Sequence, residues 1–443
     1  MIQHHKDMKR ESLPILALFG ANGISVLGSM LTALAIPWFV LQTTGSAAQM
    51  GLTACVEVVA NLVAGAFGGT LVDRMGQKRI SILADLASGF AVALVPLLYY
   101  TVGLAFWQLL VLVFCASFCN TPGTTARTVL LPDLAELTGM RFELASSILQ
   151  AIQRGAGLLG APLAGALIVI VGTTRLLWVD ATSFLLSACI VALVVPASRT
   201  STDREAPPEG HRIAEIQAEE RFDVPSEEIP SWQAGFKLSF QTLWRDRLML
   251  AIMFVLIITN LLDASFFAVV MPIYARVHFG SVLAFGLASA AFGGGALFGS
   301  ILFSILGVKL PRRVTFTLAF IGMGLPFWTL ALLPVFPAML LAAAVGGIAS
   351  APINPIIMTV AMERVSAEIR GRVLGPLIAL AQIAVPLGLL LIGASVERLG
   401  VQGTLFLIAA AYLVATLSLL FNPALRQMEG RAEAENEPVA GPA

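Results

Sequence analysis

Residues 69–79 read GTLVDRMGQKR, a short polar stretch with a net positive charge. Apolar runs lie on both sides of it, at roughly 47–71 and 79–101. Each run is long enough for a helix to cross the hydrocarbon core of a bilayer, which takes about 20 residues. Gly76 permits a tight turn between them. The stretch therefore predicts two antiparallel membrane-spanning helices with a basic connection.

The same pattern extends over most of the 443-residue chain. Ten further runs of spanning length bring the total to twelve, six on each side of a polar stretch. The runs lie at 13–42, 103–126, 143–171 and 173–197, and then at 247–275, 279–307, 313–334, 336–361, 372–396 and 400–421. We expect an all-α polytopic membrane protein made of two pseudo-symmetric six-helix bundles, 13–197 and 247–421.

The composition supports a membrane protein and excludes several other classes. Hydrophobic residues make up 57% of the chain and charged residues only 12%, with 27 basic against 27 acidic side chains. A soluble enzyme could not wet such a surface, and a nucleic-acid-binding protein would need a basic face. The four cysteines lie inside apolar runs, which favours small core residues over disulfides or metal ligands: Cys55, Cys115, Cys119 and Cys189.

Three polar segments complete the predicted organisation. The N-terminus, 1–12, precedes the first run. Residues 198–246 are rich in Asp, Glu and Pro, which is typical of a solvated linker. Aromatic residues at helical spacing near 232–244 predict a short helix in the membrane interface at the end of this linker. The tail, 422–443, is polar and is expected to be disordered.

The distribution of Lys and Arg predicts the orientation. Fourteen lie in one set of connections, and three (Arg175, Arg276 and Arg398) lie in the opposite set. The fourteen are Lys6, Lys9, Arg10, Arg74, Lys78, Arg79, Arg127, Arg141, Lys309, Arg312, Arg313, Arg364, Arg370 and Arg372. Cytoplasmic loops carry the excess of basic residues, so both termini are expected in the cytoplasm. We call the lysine- and arginine-rich side the basic end and the opposite side the outer end.

A weak internal repeat relates the two halves. An offset of 229 residues aligns Arg141 with Arg370 and Gln153 with Gln382, at the start and middle of the fifth span of each half. Two related bundles with a cleft between them are typical of a transporter that binds substrate near the midplane.

The stretch 69–79 also resembles the signature between the second and third spans of the major facilitator superfamily. The residues that carry the resemblance are Gly69, Asp73, Arg74, Gly76, Lys78 and Arg79. The resemblance implies that this loop latches the basic end in the outward-open state. The equivalent stretch of the second half, 299–313, keeps glycine and base but lacks the acidic residue.

The fifth span resembles the glycine- and proline-rich motif of drug exporters in this superfamily. Its motif residues are Gly157, Gly160, Pro162 and Gly165, with Ala161 where the motif usually has glycine. The resemblance favours export, although a packing stripe without directional meaning remains an alternative. Residues 84–86, 180–184 and 352–372 resemble the bacterial macrolide-efflux branch, whose relatives also move siderophores or lysolipids. In this branch an arginine often follows the acid at Asp85, but none does here.

Ionisable side chains at membrane depth are functional candidates, because an unpaired charge there is costly. Glu57 and Asp263 lie about 16 residues from the basic ends of their spans, roughly 24 Å deep at a 1.5 Å rise per residue. We interpret them as proton-coupling residues, with snorkelling to the outer interface as the alternative. Arg154 lies near the midplane and is expected in a substrate cavity, unless it forms a buried structural ion pair. Asp85 and Asp180 lie nearer the membrane surfaces, and we expect them to have structural roles.

Polar side chains near Arg154 and on the first, seventh and eleventh spans are expected to line the same cavity: Asn22, Gln150, Gln153, Asn260 and Gln382. Four aromatic residues could add apolar contacts: Phe266, Phe267, Phe292 and Trp328. The chain has no G-x-x-x-x-G-K-[ST] loop and no H-E-x-x-H motif, so neither ATP hydrolysis nor metalloprotease activity is indicated. We expect no catalytic residue, no metal and no cofactor.

Together these features predict a monomeric exporter of amphipathic small molecules that exchanges them for protons. The resemblance implies a bacterial inner membrane. A lysophospholipid or siderophore transporter of the same fold is the first alternative. A receptor that transports nothing is a second, which the short outer loops disfavour.

Overall fold

The computed structural model describes residues 12–196, 244, 246–307, 310–365 and 370–428, and for 370–374 and 376 only the backbone. The first half contains six long helices, numbered here as spans 1 to 6. They are Leu13–Thr44, Ala47–Met75, Gln77–Thr101, Phe106–Leu137, Phe142–Val171 and Thr173–Val194. The outer connections between them are one to four residues long, as the sequence predicts.

The second half contains spans 7 to 12. Span 7 is Arg247–Phe279, with a π-helical turn at Phe266–Val270, and spans 8 to 10 are Val282–Leu306, Arg312–Leu332 and Phe336–Arg364. Arg370–Gln382 and Val385–Phe421 follow. In the described part of the chain, eleven segments are long and apolar enough to cross a membrane, and the last, Leu377–Phe421, has 45 residues.

Glycine divides that last segment into two spans. Gly400 has a φ of 71° and a ψ of 172°, which is not helical. A side chain at this φ would be strained, so glycine allows the chain to reverse at the outer end. Spans 11 (370–399) and 12 (401–421) result, and the prediction of an all-α fold with twelve spans is confirmed. Gly76, with a φ of 85°, makes the equivalent one-residue turn between spans 2 and 3.

The two halves meet where small residues let helices approach closely. A Cβ built on Gly286 of span 8 would lie 2.8 Å from the carbonyl oxygen of Ala161 and 3.3 Å from the Cα of Gly165, both in span 5. Gly51 of span 2 similarly meets Leu389 and Gly393 of span 11. All six residues of these two crossings lie towards the outer end. Such contacts let helices associate in lipid, where no hydrophobic effect drives them together.

Two boundaries differ from the prediction. Span 4 continues to Leu137 instead of ending near 126, so Arg127 lies within a helix and was wrongly assigned to a loop. Thirteen basic residues against three still give the same orientation. Pro423–Met428, within the predicted disordered tail, form a 3-10 helix whose Ala424, Leu425 and Met428 are buried. The predicted interfacial helix near 232–244 and most of the linker lie outside the described residues.

Candidate functional site: paired bundles with internal polar cavities

An ion pair is buried inside the first half. Arg127 Nη2 of span 4 lies 2.6 Å from Asp85 Oδ1 of span 3, and both side chains are 1% exposed. Asp85 also accepts hydrogen bonds from Ser187 of span 6, at 2.6 Å, and Ser25 of span 1, at 3.5 Å. The cluster therefore joins four helices, in keeping with the structural role expected of Asp85. The missing arginine partner comes from the next span, not from the same helix.

A small polar cavity lies nearby, between spans 1, 2, 3, 4 and 6. Its volume is about 70 Å³, and Glu57 and Asp180 both line it. Asp180 accepts hydrogen bonds from Thr32 and Ser183. Glu57 has no hydrogen-bond partner or ion pair among the described residues. A cavity of this size has room for several water molecules. Asp180, expected to be structural, thus shares a cavity with a predicted proton-coupling residue.

Asp263 lines a second cavity, inside the other half. The volume is only about 20 Å³, and four phenyl rings surround it: Phe266, Phe267, Phe292 and Phe327. Ring centroids lie 4.9 Å apart for Phe266 and Phe327 and also for Phe267 and Phe292. The Oδ1 atom of Asp263 is buried and, within the described residues, has no hydrogen-bond partner. The predicted aromatic residues Phe266, Phe267 and Phe292 therefore enclose this carboxyl group, whereas Trp328 packs against Phe406.

The π-helical turn begins three residues after Asp263. It widens the helix at Phe266–Val270, so that Phe266 and Phe267 both border the cavity. Single π-helical turns inside α-helices are frequently found at functional sites.

A larger pocket opens between spans 7, 10 and 11. Its volume is about 350 Å³, within the range of small-molecule sites. Three methionines, Met249, Met253 and Met358, supply much of its apolar lining, and three amide side chains, Asn260, Asn354 and Gln382, supply its polar groups. Asn260 Nδ2 donates to the carbonyl oxygen of Ala381 at 3.1 Å. Asn260 and Gln382 are thus together as predicted, while the methionines and Asn354 were not anticipated as site residues.

The other predicted cavity residues occupy different places. Asn22 is buried at 1% exposure, with its Nδ2 atom unpartnered among the described residues, so it does not face an open cavity. Gln150, Gln153 and Arg154 are exposed. Arg154 precedes Leu158 by one turn, and Leu158 contacts the Gly293 position of span 8, so this face of span 5 is directed to the second half. No acidic partner of Arg154 lies in the described part of the chain, which argues against a buried structural ion pair.

The loop that resembles the family signature makes no hydrogen bond or ion pair with the second half among the described residues. Asp73, Arg74, Gly76 and Arg79 are exposed. Lys78 Nζ donates to the carbonyl oxygen of Ala192 at 2.9 Å, within its own half. A Cβ at Gly69 would meet nothing within 4 Å.

In span 5, the motif glycines differ in their contacts. The Gly160 position contacts Met30 of span 1, and Pro162 and Gly165 meet Gly286 of span 8, while nothing lies within 4 Å of a Cβ at Gly157. Within span 5, the predicted small-residue stripe therefore packs against other helices only from Gly160 to Gly165.

Hydrogen bonds close the outer end. Glu397, near the end of span 11, accepts bonds from the Ser46 hydroxyl and, at 3.1 Å, from the Ala48 amide at the start of span 2. Arg276, near the end of span 7, donates to the carbonyl oxygen of Leu41 in span 1. Among the described residues, every hydrogen bond between the halves involves one of these two charges. A carboxylate at a helix N-terminus and a guanidinium at a helix C-terminus both complement the helix dipole.

Comparison with known proteins identifies the family. The sequence model of the Major Facilitator Superfamily matches residues 18–260 and 253–441, nearly the whole chain. The chain belongs to the major facilitator superfamily. It is 29% identical over 433 residues to the multidrug efflux pump Tap of Mycobacterium tuberculosis, covering 97% of this chain and 98% of Tap. It is 22% identical to macrolide efflux protein A of Streptococcus pyogenes, covering 88% and 91% of the two chains.

Solved structures show the same fold. The nucleoside transporter NupG matches with a TM-score of 0.71 at 12% identity, covering 92% of this chain and 98% of NupG. A bacterial homologue of the lysosomal transporter Spinster matches with a TM-score of 0.68 at 14% identity, covering 95% and 98%. The protein is therefore a multi-pass membrane transporter of the major facilitator superfamily, related to its drug-efflux branch, and not an enzyme.

Proposed function

We propose that the protein exports amphipathic, lipophilic small molecules, such as drugs or macrolides, in exchange for protons by alternating access. Two relatives along almost the whole chain are named for multidrug and macrolide efflux. In this proposal the protein is a monomer in a bacterial inner membrane, with both termini and the linker 198–246 in the cytoplasm.

The pocket between spans 7, 10 and 11 carries the proposal. Its side chains are apolar or uncharged amides, so it favours lipophilic molecules that hydrogen-bond over strongly ionic ones. Methionine is flexible and polarisable and can repack around ligands of different shape, as promiscuous binding surfaces require. Arg154 and Gln150 on span 5 would face the substrate from the other half.

Proton coupling is supported by the two unpartnered carboxyl groups. Glu57 and Asp263 each line a small internal cavity, and no basic side chain lines either one. A buried carboxylate without a cation costs several kcal/mol, and binding a proton removes that cost. Each half would thus contain one group that alternates between a protonated and an ionised form as access changes.

Alternating access is supported by the asymmetry of the contacts between the halves. The outer end is closed by Glu397, Arg276 and glycine-mediated helix crossings, while the signature loop at the basic end is exposed. This is the arrangement expected of an inward-facing state. The Spinster homologue of the same fold is described as inward-facing and unoccupied. In the outward-facing state the loop around Asp73 would then latch the basic end.

Transport into inside-out membrane vesicles tests the pocket. Replacing Met358 by Trp would fill it, so we expect loss of energy-dependent uptake of a macrolide and a lipophilic cation. Met362→Trp is the matched control, since Met362 lies one turn further along the same span and does not line the pocket. Equal uptake by the two variants would remove the pocket from the substrate path. No uptake by the unaltered protein would contradict drug export itself.

A further inference from the structure

A groove of about 540 Å³ lies at the basic end of the second half, away from the cavities described above. It runs between the first two turns of span 7 and the 3-10 helix Pro423–Met428 that follows span 12. Arg247, Asn422 and Gln427 form its polar part, and Leu250, Phe254 and Pro423 form its apolar part. The proposed transport function does not use this groove.

A set of polar contacts fixes the walls of the groove. Arg364 donates to Asp246 Oδ2 at 2.8 Å and to the carbonyl oxygen of Gln427 at 3.0 Å. Asp246 in turn caps span 7, accepting from the Leu248 amide at 2.8 Å. The 3-10 helix is therefore tied to the start of span 7, and the groove is a built feature of the fold.

The lining changes from polar to apolar with depth. Leu250 and Phe254 follow Arg247 by three and seven residues, which places Phe254 about 10 Å further along the helix. Phe254 is 60% exposed and Phe421, at the end of span 12, is 82% exposed. In a membrane-spanning bundle such rings face acyl chains. The groove thus opens sideways into the bilayer, with its polar part at the surface.

The polar side chains of the groove all offer hydrogen-bond donors. Arg247 is exposed and has no acidic partner in the described segments. Asn422 uses its side-chain oxygen to accept from the Ala424 amide at 3.0 Å, and the side-chain oxygen of Gln427 faces Arg364 at 3.5 Å. The amide nitrogens of both side chains therefore remain available as donors. No carboxylate among the described residues lines the groove, and the neighbouring Arg426 is exposed.

We propose that this groove binds an anionic phospholipid, with its phosphate on Arg247, Asn422 and Gln427 and an acyl chain along Leu250 and Phe254. A guanidinium flanked by two amide N–H donors suits a phosphate, because hydrogen bonds between charged groups are stronger than those between neutral groups. Basic pockets on the cytoplasmic side of membrane proteins recognise anionic headgroups in this way. The bound lipid would brace span 7, which carries Asp263, against span 12.

Thermal unfolding of the full-length protein in neutral detergent tests the proposal. Dioleoylphosphatidylglycerol is expected to raise the unfolding temperature more than dioleoylphosphatidylcholine at equal concentration. Arg247→Gln should weaken the phosphatidylglycerol effect by roughly tenfold in lipid concentration, the worth of one charge-assisted hydrogen bond. Arg426→Gln, on the 3-10 helix but outside the groove, is the matched control and should keep the effect. Ala251→Trp would fill the groove without changing its charge and should abolish the effect.

Three results would overturn the proposal. An equal response of Arg247→Gln and the unaltered protein would place the lipid elsewhere. An equal response to inorganic phosphate would indicate a site for free anions. A response that appears only after the linker acids between 203 and 228 are changed to amides would show that the chain's own linker occupies the groove. None of these measurements depends on transport, so failure of the proposed export would leave the result interpretable.

Discussion

At the residue scale, three carboxyl groups inside the bundles differ in what surrounds them. Asp85 has an arginine and two hydroxyl groups, and Asp180 has two hydroxyl groups. Asp263 has a cavity lined mostly by phenylalanine and methionine, with Tyr412 nearby and no basic partner among the described residues. An ion pair stabilises a carboxylate that stays ionised. A mostly apolar cavity favours a carboxyl group that is protonated for part of the transport cycle. These surroundings fit the structural role expected of Asp85 and the proton exchange that we propose for Asp263.

Neutralising the proposed proton carriers should separate coupling from folding. We expect Asp263→Asn and Glu57→Gln to fold and to bind drug, but to lose drug accumulation driven by a pH gradient. Glu143→Gln is the control, because Glu143 is an exposed acid at the basic end. The measurement is uptake into vesicles with an imposed gradient. Normal uptake by the double variant would exclude both residues.

The buried ion pair predicts a stability difference. Arg127→Ala leaves Asp85 charged and unpaired, which should cost about 3–5 kcal/mol. Replacing both residues by Leu should cost less, because no charge is left behind. Arg312→Ala breaks a half-exposed pair with Glu363 and should cost at most about 1 kcal/mol. Thermal unfolding in detergent ranks the three variants, and a larger loss for the double variant than for Arg127→Ala would contradict the interpretation.

The sequence identified the acidic residues but not their partners. Depth along an apolar run singles out Glu57 and Asp263, because an ionisable group far from both membrane surfaces is costly unless it is paired or hydrated. Partners come from other helices, and their positions depend on how the helices rotate and pack. Arg127 could have been found, because the apolar run resumes after it with Val129, Leu130 and Leu131. Nothing local indicates that Asp180 and Glu57 share a cavity.

At the scale of elements, apolar length predicted all twelve spans, while irregularities within them were missed. The ends of helices can be predicted from the length of the apolar runs and from glycine. The turns at Gly76 and near 400 were predicted in this way. The π-helical turn at Phe266–Val270 has no local signature in the sequence, although its Phe266 and Phe267 rings contact Phe327 of span 9 and Phe292 of span 8. The sequence predicted one side of the contact between spans 5 and 8. It indicated the small-residue stripe in span 5, but not its partner Gly286 in span 8.

The crossing of spans 5 and 8 predicts contrasting effects of two glycine substitutions. Gly286→Val would push against the backbone of Ala161 and Gly165 and should destabilise the closed outer end by about 1–3 kcal/mol. Gly157→Val, in the same motif but with nothing within 4 Å, should be tolerated. Thiol labelling of a cysteine placed at Ala161 reports the opening. Equal labelling in both variants would show that the close approach does not hold the halves together.

At the scale of the whole molecule, two charges on the second half hold two helix ends of the first. Glu397 caps the start of span 2 and Arg276 caps the end of span 1. Under the proposed alternating access both contacts are lost when the outer end opens, so we expect them to stabilise the inward-facing state. The sequence analysis placed Arg276 among the few basic residues of the outer end. It did not predict that Arg276 and Glu397 connect the two halves.

Removing these contacts should shift the conformational balance. We expect the double variant Glu397→Gln and Arg276→Gln to populate an outward-open state. Spin labels at Thr44 and Arg398, in a background without native cysteines, should report longer distances by several ångströms. Arg175→Gln, an exposed arginine at the same end, should leave the distances unchanged. Unchanged distances in the double variant would show that the glycine crossings alone close the outer end.

Proton movement in proteoliposomes tests the central claim most directly. Purified protein is reconstituted under an imposed pH gradient, and macrolides, lipophilic cations and lysolipids are added one at a time. The proposed exchange predicts that a macrolide or a lipophilic cation triggers proton flux, and that Asp263→Asn shows none. Drug movement without proton flux, or equal flux in Asp263→Asn, would contradict the account. If drugs trigger no proton flux but lysolipid crosses the bilayer, the alternative of a lipid carrier with the same fold would be favoured.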